Sequence, residues 1–110
     1  MEDADEAFTP SIVLAELARK YHREGMDSGV VRSWLRGISE ATEIHAIDIE
    51  LSMMSAQAAA DLTAMAHKEG ISGPGLGDAL VLATARALNA RVVTGDPHFK
   101  GLEETVWLGA

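Results

Sequence analysis

Apolar side chains recur at intervals of three and four residues along four stretches of the chain, the mark of helices that each turn one face to a core. In the first stretch Val13, Leu17 and Tyr21 share a face; Thr9 reads as the N-cap, Pro10 as the first helical residue, and Gly25 as the stop. A second helix is predicted to start after Asp27 or Ser28 and to present Val30, Val31, Trp34, Leu35 and Ile38. The third is the longest, with Leu51, Met54, Ala58, Leu62 and Met65 in phase up to Gly70. The fourth, alanine-rich, runs from about Leu76 to Asn89 and turns Leu80, Ala83, Ala87 and Leu88 inward.

Between these helices lie short β-branched runs: Ile44 to Ile47, Arg91 to Thr94 and Thr105 to Leu108, with a brief strand expected at Ala7 and Phe8. Strands of this length alternating with helices predict βα units and parallel pairing. The expected architecture is a three-layer α/β/α domain with a short parallel sheet, formed as one domain over residues 1–110. In such sheets functional groups gather beyond the carboxyl ends of the strands, which directs attention to Thr94, Gly95 and Asp96.

Composition narrows the chemistry. The 110 residues include no cysteine, which excludes a disulfide scaffold, thiolate catalysis and cysteine-ligated zinc or iron–sulfur sites. Nine basic against 17 acidic side chains give a formal charge of -8, unsuited to non-specific binding of a phosphate backbone. An acidic protein can still meet phosphate at one place, through a cation held by its own carboxylates. The start, Met1-Glu2-Asp3-Ala4-Asp5-Glu6, is the reverse of a basic signal-peptide opening, and no apolar run nears the ~20 residues of a membrane helix. A soluble, cytoplasmic protein with no membrane partner is expected.

The histidines at 22, 45, 67 and 98 form no HExxH or HxxxH pair, and His98 alone falls in the suspected functional loop. Gly73-Pro74-Gly75-Leu76-Gly77 lacks the GxGxxG register and is followed by no Lys-Ser/Thr pair, so it is not a phosphate loop. Three carboxylates stand out. Glu16 lies among apolar neighbours in the first helix, Asp78 in the first turn of the fourth, and Asp96 between a strand and Pro97. Taken singly, each has an ordinary explanation: a solvated helix face, an acid favoured by the helix dipole, a turn residue.

Together they fall on a pattern. The run Gly77-Asp78-Ala79-Leu80-Val81-Leu82-Ala83-Thr84-Ala85, followed by Val93-Thr94-Gly95-Asp96-Pro97-His98-Phe99, resembles the C-terminal half of a PIN domain. The pattern there is D-A-x-x-x-A-T-A on a helix, then a strand ending T-x-D-x-x-F. Thr9 to Leu17 is similar to the family's S-x-x-x-x-E-L helix, and order and spacing match from about Phe8 to Leu108. The resemblance implies a VapC-type toxin or related metal-dependent endoribonuclease. In it Glu16, Asp78 and Asp96 hold Mg²⁺ or Mn²⁺, RNA is the substrate, the chain forms a homodimer, and an antitoxin protein is a possible partner. Oxygen ligands suit such hard cations.

One departure from the pattern matters. The family opens with a strand that carries an aspartate, then a helix, and this sequence shows no such βα unit before Phe8. The fold is thus expected to be N-terminally incomplete by some thirty or more residues, on the order of one βα unit, and the chain as given to have little activity. No motif supports Asp3 or Asp5 as a substitute. A non-catalytic PIN-like remnant and a small α/β protein-binding module are the alternatives. Arg86, Arg91, His98 and Lys100 are candidates for substrate contact by position, and the Thr94 hydroxyl for supporting a ligand.

Overall fold

The computed structural model describes residues 6–109. In chain order it contains β1 (Phe8–Pro10), α1 (Ser11–Arg23), α2 (Ser28–Ala41), β2 (Glu43–His45), α3 (Ile49–Glu69), α4 (Leu76–Ala87), β3 (Val92–Thr94) and β4 (Thr105–Trp107), with a single 3-10 turn at Pro97–Phe99. The α/β class and parallel pairing are as the sequence predicts. The strands, however, form two separate two-stranded sheets, β1 with β2 and β3 with β4. The chain correspondingly divides into two compact units, Met1–Ile47 and Asp48–Ala110.

In the N-terminal unit β1 and β2 run parallel with Phe8 opposite Glu43, Thr9 opposite Ile44 and Pro10 opposite His45. Thr9 is therefore a strand residue and not the cap of α1. Pro10 takes the cap position in extended conformation, with no side-chain bond to the helix. Strand pairing outweighs the local capping preference because the Thr9 hydroxyl is used elsewhere. Thr42 Oγ1 donates to the Ile38 carbonyl (2.9 Å) and accepts from Thr9 Oγ1 (2.6 Å), joining the strand to the end of α2. At the other end of α2, Asp27 is a true cap: its carboxylate accepts from the amides of Gly29 (3.0 Å) and Val30 (3.2 Å). Burial in this unit is thin. Helix α1 has no buried residue, and α2 buries only Val31. Trp34 meets Tyr21 edge-on at 5.1 Å between ring centroids, yet remains 45% exposed.

The C-terminal unit is built differently. Helix α3 starts at the Asp48 cap, whose Oδ1 accepts from Leu51 N at 2.8 Å. It ends at Gly70, whose φ of 72° is the left-handed turn that glycine adopts without a Cβ clash. Its buried stripe is Leu51, Ser55, Ala58, Leu62 and Ala66, while Met54, which the periodicity turns inward, is exposed. Against it packs α4 with Ala79, Leu80, Leu82, Ala83 and Ala85; Ala87 is exposed, contrary to the pattern. Alanines on both helices keep the contact close, and the stripe drifts because the helical repeat of 3.6 is not the 3.5 of a strict heptad. Leu62 and Leu82 are fully enclosed, each contributing about 1.5–3 kcal/mol by burial. Val92 of β3 and Phe99 of the 3-10 turn complete this core. Thus the segment after β3 is pinned by its own aromatic side chain, which fixes what lies just before it.

Candidate metal centre

Asp78 owes its position to the start of α4. It is the third residue of the helix, and its Oδ2 accepts from the amide of Gly75, the cap residue, at 3.2 Å. That bond satisfies one of the amides that a helix start leaves open, and the dipole there favours a negative charge.

Asp96 is set by the turn that leaves β3. The Thr94 hydroxyl accepts from Asp96 N (3.0 Å), and Asp96 Oδ1 accepts from His98 N (2.9 Å), with Pro97 opening the 3-10 turn between them. Thr94 therefore positions the aspartate's backbone. The same turn brings the His98 ring back over the carboxylate, Nδ1 lying 3.0 Å from Asp96 Oδ1 and 3.8 Å from Asp78 Oδ2. On its far side the ring donates from Nε2 to the Ser72 carbonyl at 2.8 Å. That carbonyl, with the Asp96 and Asp78 carboxylates adding to it against the opposing effect of burial, holds the His98 pKa above its ordinary value.

One ligand atom from each of Asp78, Asp96 and His98 lies within 4.8 Å of the other two, and all three residues are half-buried. Two carboxylate oxygens and an imidazole nitrogen converging from a helix start and a strand end form a donor set that suits a divalent cation. The set fits.

Of the residues singled out by sequence, the structure brings Asp78 and Asp96 together. Glu16 is carried by α1 in the other compact unit, where it is exposed. Asp3 and Asp5 lie outside the described residues. Arg86 is already engaged with Asp61 and Glu104, at 2.6 and 2.8 Å, and so ties helices to the approach of β4. Lys100 sits over the Trp107 ring, Nζ 5.6 Å from its centroid. His98 is the residue that spacing rules undervalue, because its partners are acids and not histidines. The readable signal was Asp-Pro-His itself: an aspartate that caps a one-turn helix meets the side chain two residues on.

Half-buried acids gathered past a parallel strand of an α/β scaffold form an arrangement able to hold a divalent cation. The chain belongs to the PIN-domain family, whose model matches residues 1–104. PIN domains are nucleases that as a rule cut RNA with divalent metal ions. No curated protein and no solved structure matches the chain at a significant level. Among the described residues no helix is long and apolar enough to cross a membrane.

Proposed function

We propose that the protein is a metal-dependent endoribonuclease of the VapC toxin type, cytoplasmic, in which Glu16, Asp78 and Asp96 serve a bound Mg²⁺ or Mn²⁺. The observation that carries this reading is the approach of Asp78 and Asp96 to within one cation's reach, on the motif positions of a PIN domain. A divalent ion at such a site supplies a Lewis acid that polarises the phosphodiester and makes a bound water a better nucleophile. The chain's own residues do the rest. Asp78 and Asp96 are each held by a backbone amide, from Gly75 and His98, so their charges are aimed before any ligand arrives. Thr94 keeps Asp96 from swinging away. RNA would meet the net negative chain at this one place.

The homodimer and the antitoxin belong to the same proposal. Support comes from the N-terminal unit, where Met26, Val30 and Trp34 are exposed and α1 buries no residue. Such surface suits a second copy through a two-fold contact. A second reading, a non-catalytic PIN-like binding module, is favoured by one observation: the described parallel strands form two separate pairs, β1 with β2 and β3 with β4. The test is cleavage of single-stranded RNA with Mn²⁺ by the purified chain and by Asp78→Asn. Metal-dependent cleavage that the substitution abolishes supports the nuclease. An absence of cleavage together with full retention of RNA or protein binding favours the module.

A further inference from the structure

The structure assigns His98 a role for which the acidic pattern makes no provision: we propose that its Nδ1 is a nitrogen ligand in the cation site, tilting preference from Mg²⁺ toward Mn²⁺ and other first-row transition ions. This rests on the metal-dependent reading above and deepens it.

The argument starts on the ring's outer edge. The Ser72 carbonyl is an acceptor only, so the nitrogen facing it at 2.8 Å, Nε2, carries hydrogen. In the neutral ring Nδ1 is then the bare nitrogen, and it is Nδ1 that faces Asp96 Oδ1 at 3.0 Å and Asp78 Oδ2 at 3.8 Å. With no ion bound, a proton on Nδ1 makes this contact a hydrogen bond to Asp96; a divalent cation would displace that proton and take the same electron pair, beside carboxylate oxygens already in place. Metal-ligating histidines characteristically show this arrangement, one nitrogen on the metal and the other donating to a carbonyl that fixes tautomer and ring plane. The carbonyl comes from the loop before α4, outside the acidic cluster, so the ring is oriented independently of the carboxylates it faces. Phe99, the next residue, is buried in the core and holds the turn. The ring is thereby positioned from both ends.

Ligand type then sets ion preference. Carboxylates alone suit Mg²⁺, Ca²⁺ and Mn²⁺, whereas an imidazole favours ions further along the transition series, and Mg²⁺ gives up water reluctantly. A mixed site of two oxygens and one nitrogen is expected to bind Mn²⁺ more tightly than Mg²⁺.

The experiment is pulsed EPR on the Mn²⁺ complex of the full chain, with calorimetric titration of Mn²⁺ and Mg²⁺. Nitrogen-14 modulation is expected from the wild-type complex, replaced by a nitrogen-15 pattern when histidine is isotopically labelled, and absent in His98→Gln. That variant should lose on the order of tenfold in Mn²⁺ affinity with a much smaller change for Mg²⁺. If His98→Gln does not fold, labelled wild type and His98→Asp, which returns an oxygen donor, still decide the matter. Mn²⁺ bound with no histidine modulation overturns the role of His98 and leaves the carboxylate site standing. No Mn²⁺ bound at all by wild type overturns both readings.

Discussion

Replacing Arg86 with methionine removes the charge that joins three elements while leaving the stem to pack. Arg86 on α4 donates through Nη1 to Asp61 of α3 (2.6 Å) and through Nε to Glu104 (2.8 Å), on the segment entering β4. Asp61 is steadied in turn by Gln57 Nε2 at 2.9 Å. Fully shielded hydrogen bonds to charged groups contribute about 1.5–3 kcal/mol each, and exposed ion pairs about 0.2–1. The three side chains are 27%, 36% and 28% exposed for Arg86, Asp61 and Glu104, so solvent screens both bonds in part. A value near 1 kcal/mol apiece is reasonable, and Arg86→Met should destabilise the fold by about 2 kcal/mol.

The assay is urea unfolding, with double-mutant cycles against Asp61→Asn and Glu104→Gln to isolate each pair. Acid gives a second reading. The Arg86 hydrogen bond, above all, holds the carboxyls of Asp61 and Glu104 below their ordinary range. A carboxyl depressed in the folded state adds stability that is complete above its unfolded pKa, about 4, and is lost as pH falls through the lower folded value. Wild type should therefore lead the variant by a constant margin from pH 7 to about 5, and the margin should shrink below that. Coupling energies under about 0.3 kcal/mol for both pairs, or a margin that ignores acid, would refute the reasoning.

Other outcomes follow from the same geometry. Leu62→Ala empties a fully enclosed site between α3 and α4 and should cost about 2–5 kcal/mol in chemical denaturation; a loss under 1 would mean the helices close over the void. Asp27→Ala strips two amides of their acceptor and should cost about 0.5–2 kcal/mol, with the faster amide exchange confined to the first turn of α2. Trp34→Glu places charge on the exposed apolar face of α2 and should shift the proposed dimer to monomer in sedimentation, with no change if α2 is outside the interface.

Local rules located most elements because their punctuation is chemical. Asp27 opens α2 and Gly70 closes α3 by bonds and backbone angles that each residue supplies alone. Thr9 misled for the opposite reason. Its hydroxyl can cap a helix, but a long-range partner, Thr42, takes it, and only the pairing of β1 with β2 makes that partner available. Met54 and Ala87 lie at the borders of their stripes, where small differences in helix rotation decide exposure. The acids Asp78 and Asp96 were legible from the motif, and so was the expectation that they share an ion; the distance between them comes from the fold. His98 needed the Ser72 carbonyl to give its ring a direction, and no sequence pattern encodes a backbone oxygen 26 residues away. The division of the strands into two pairs is likewise a property of pairing that no single run of residues carries.

That division also has a meaning for how the molecule opens. Every buried apolar residue among those described, except Val31, lies in the C-terminal unit. Free energy of local opening follows buried apolar contact, so amides of α1 and α2 should exchange with solvent through frequent partial unfolding while those of α3 and α4 exchange only in rare, larger events. The two aspartates and His98 are rooted in the slow-opening part, and Glu16 in the fast one. A cation held by the former would raise the protection of the C-terminal unit first, by mass action on its closed form. Raising temperature or denaturant gently should then yield a protein whose C-terminal unit still binds a metal ion after the helix that carries Glu16 has opened.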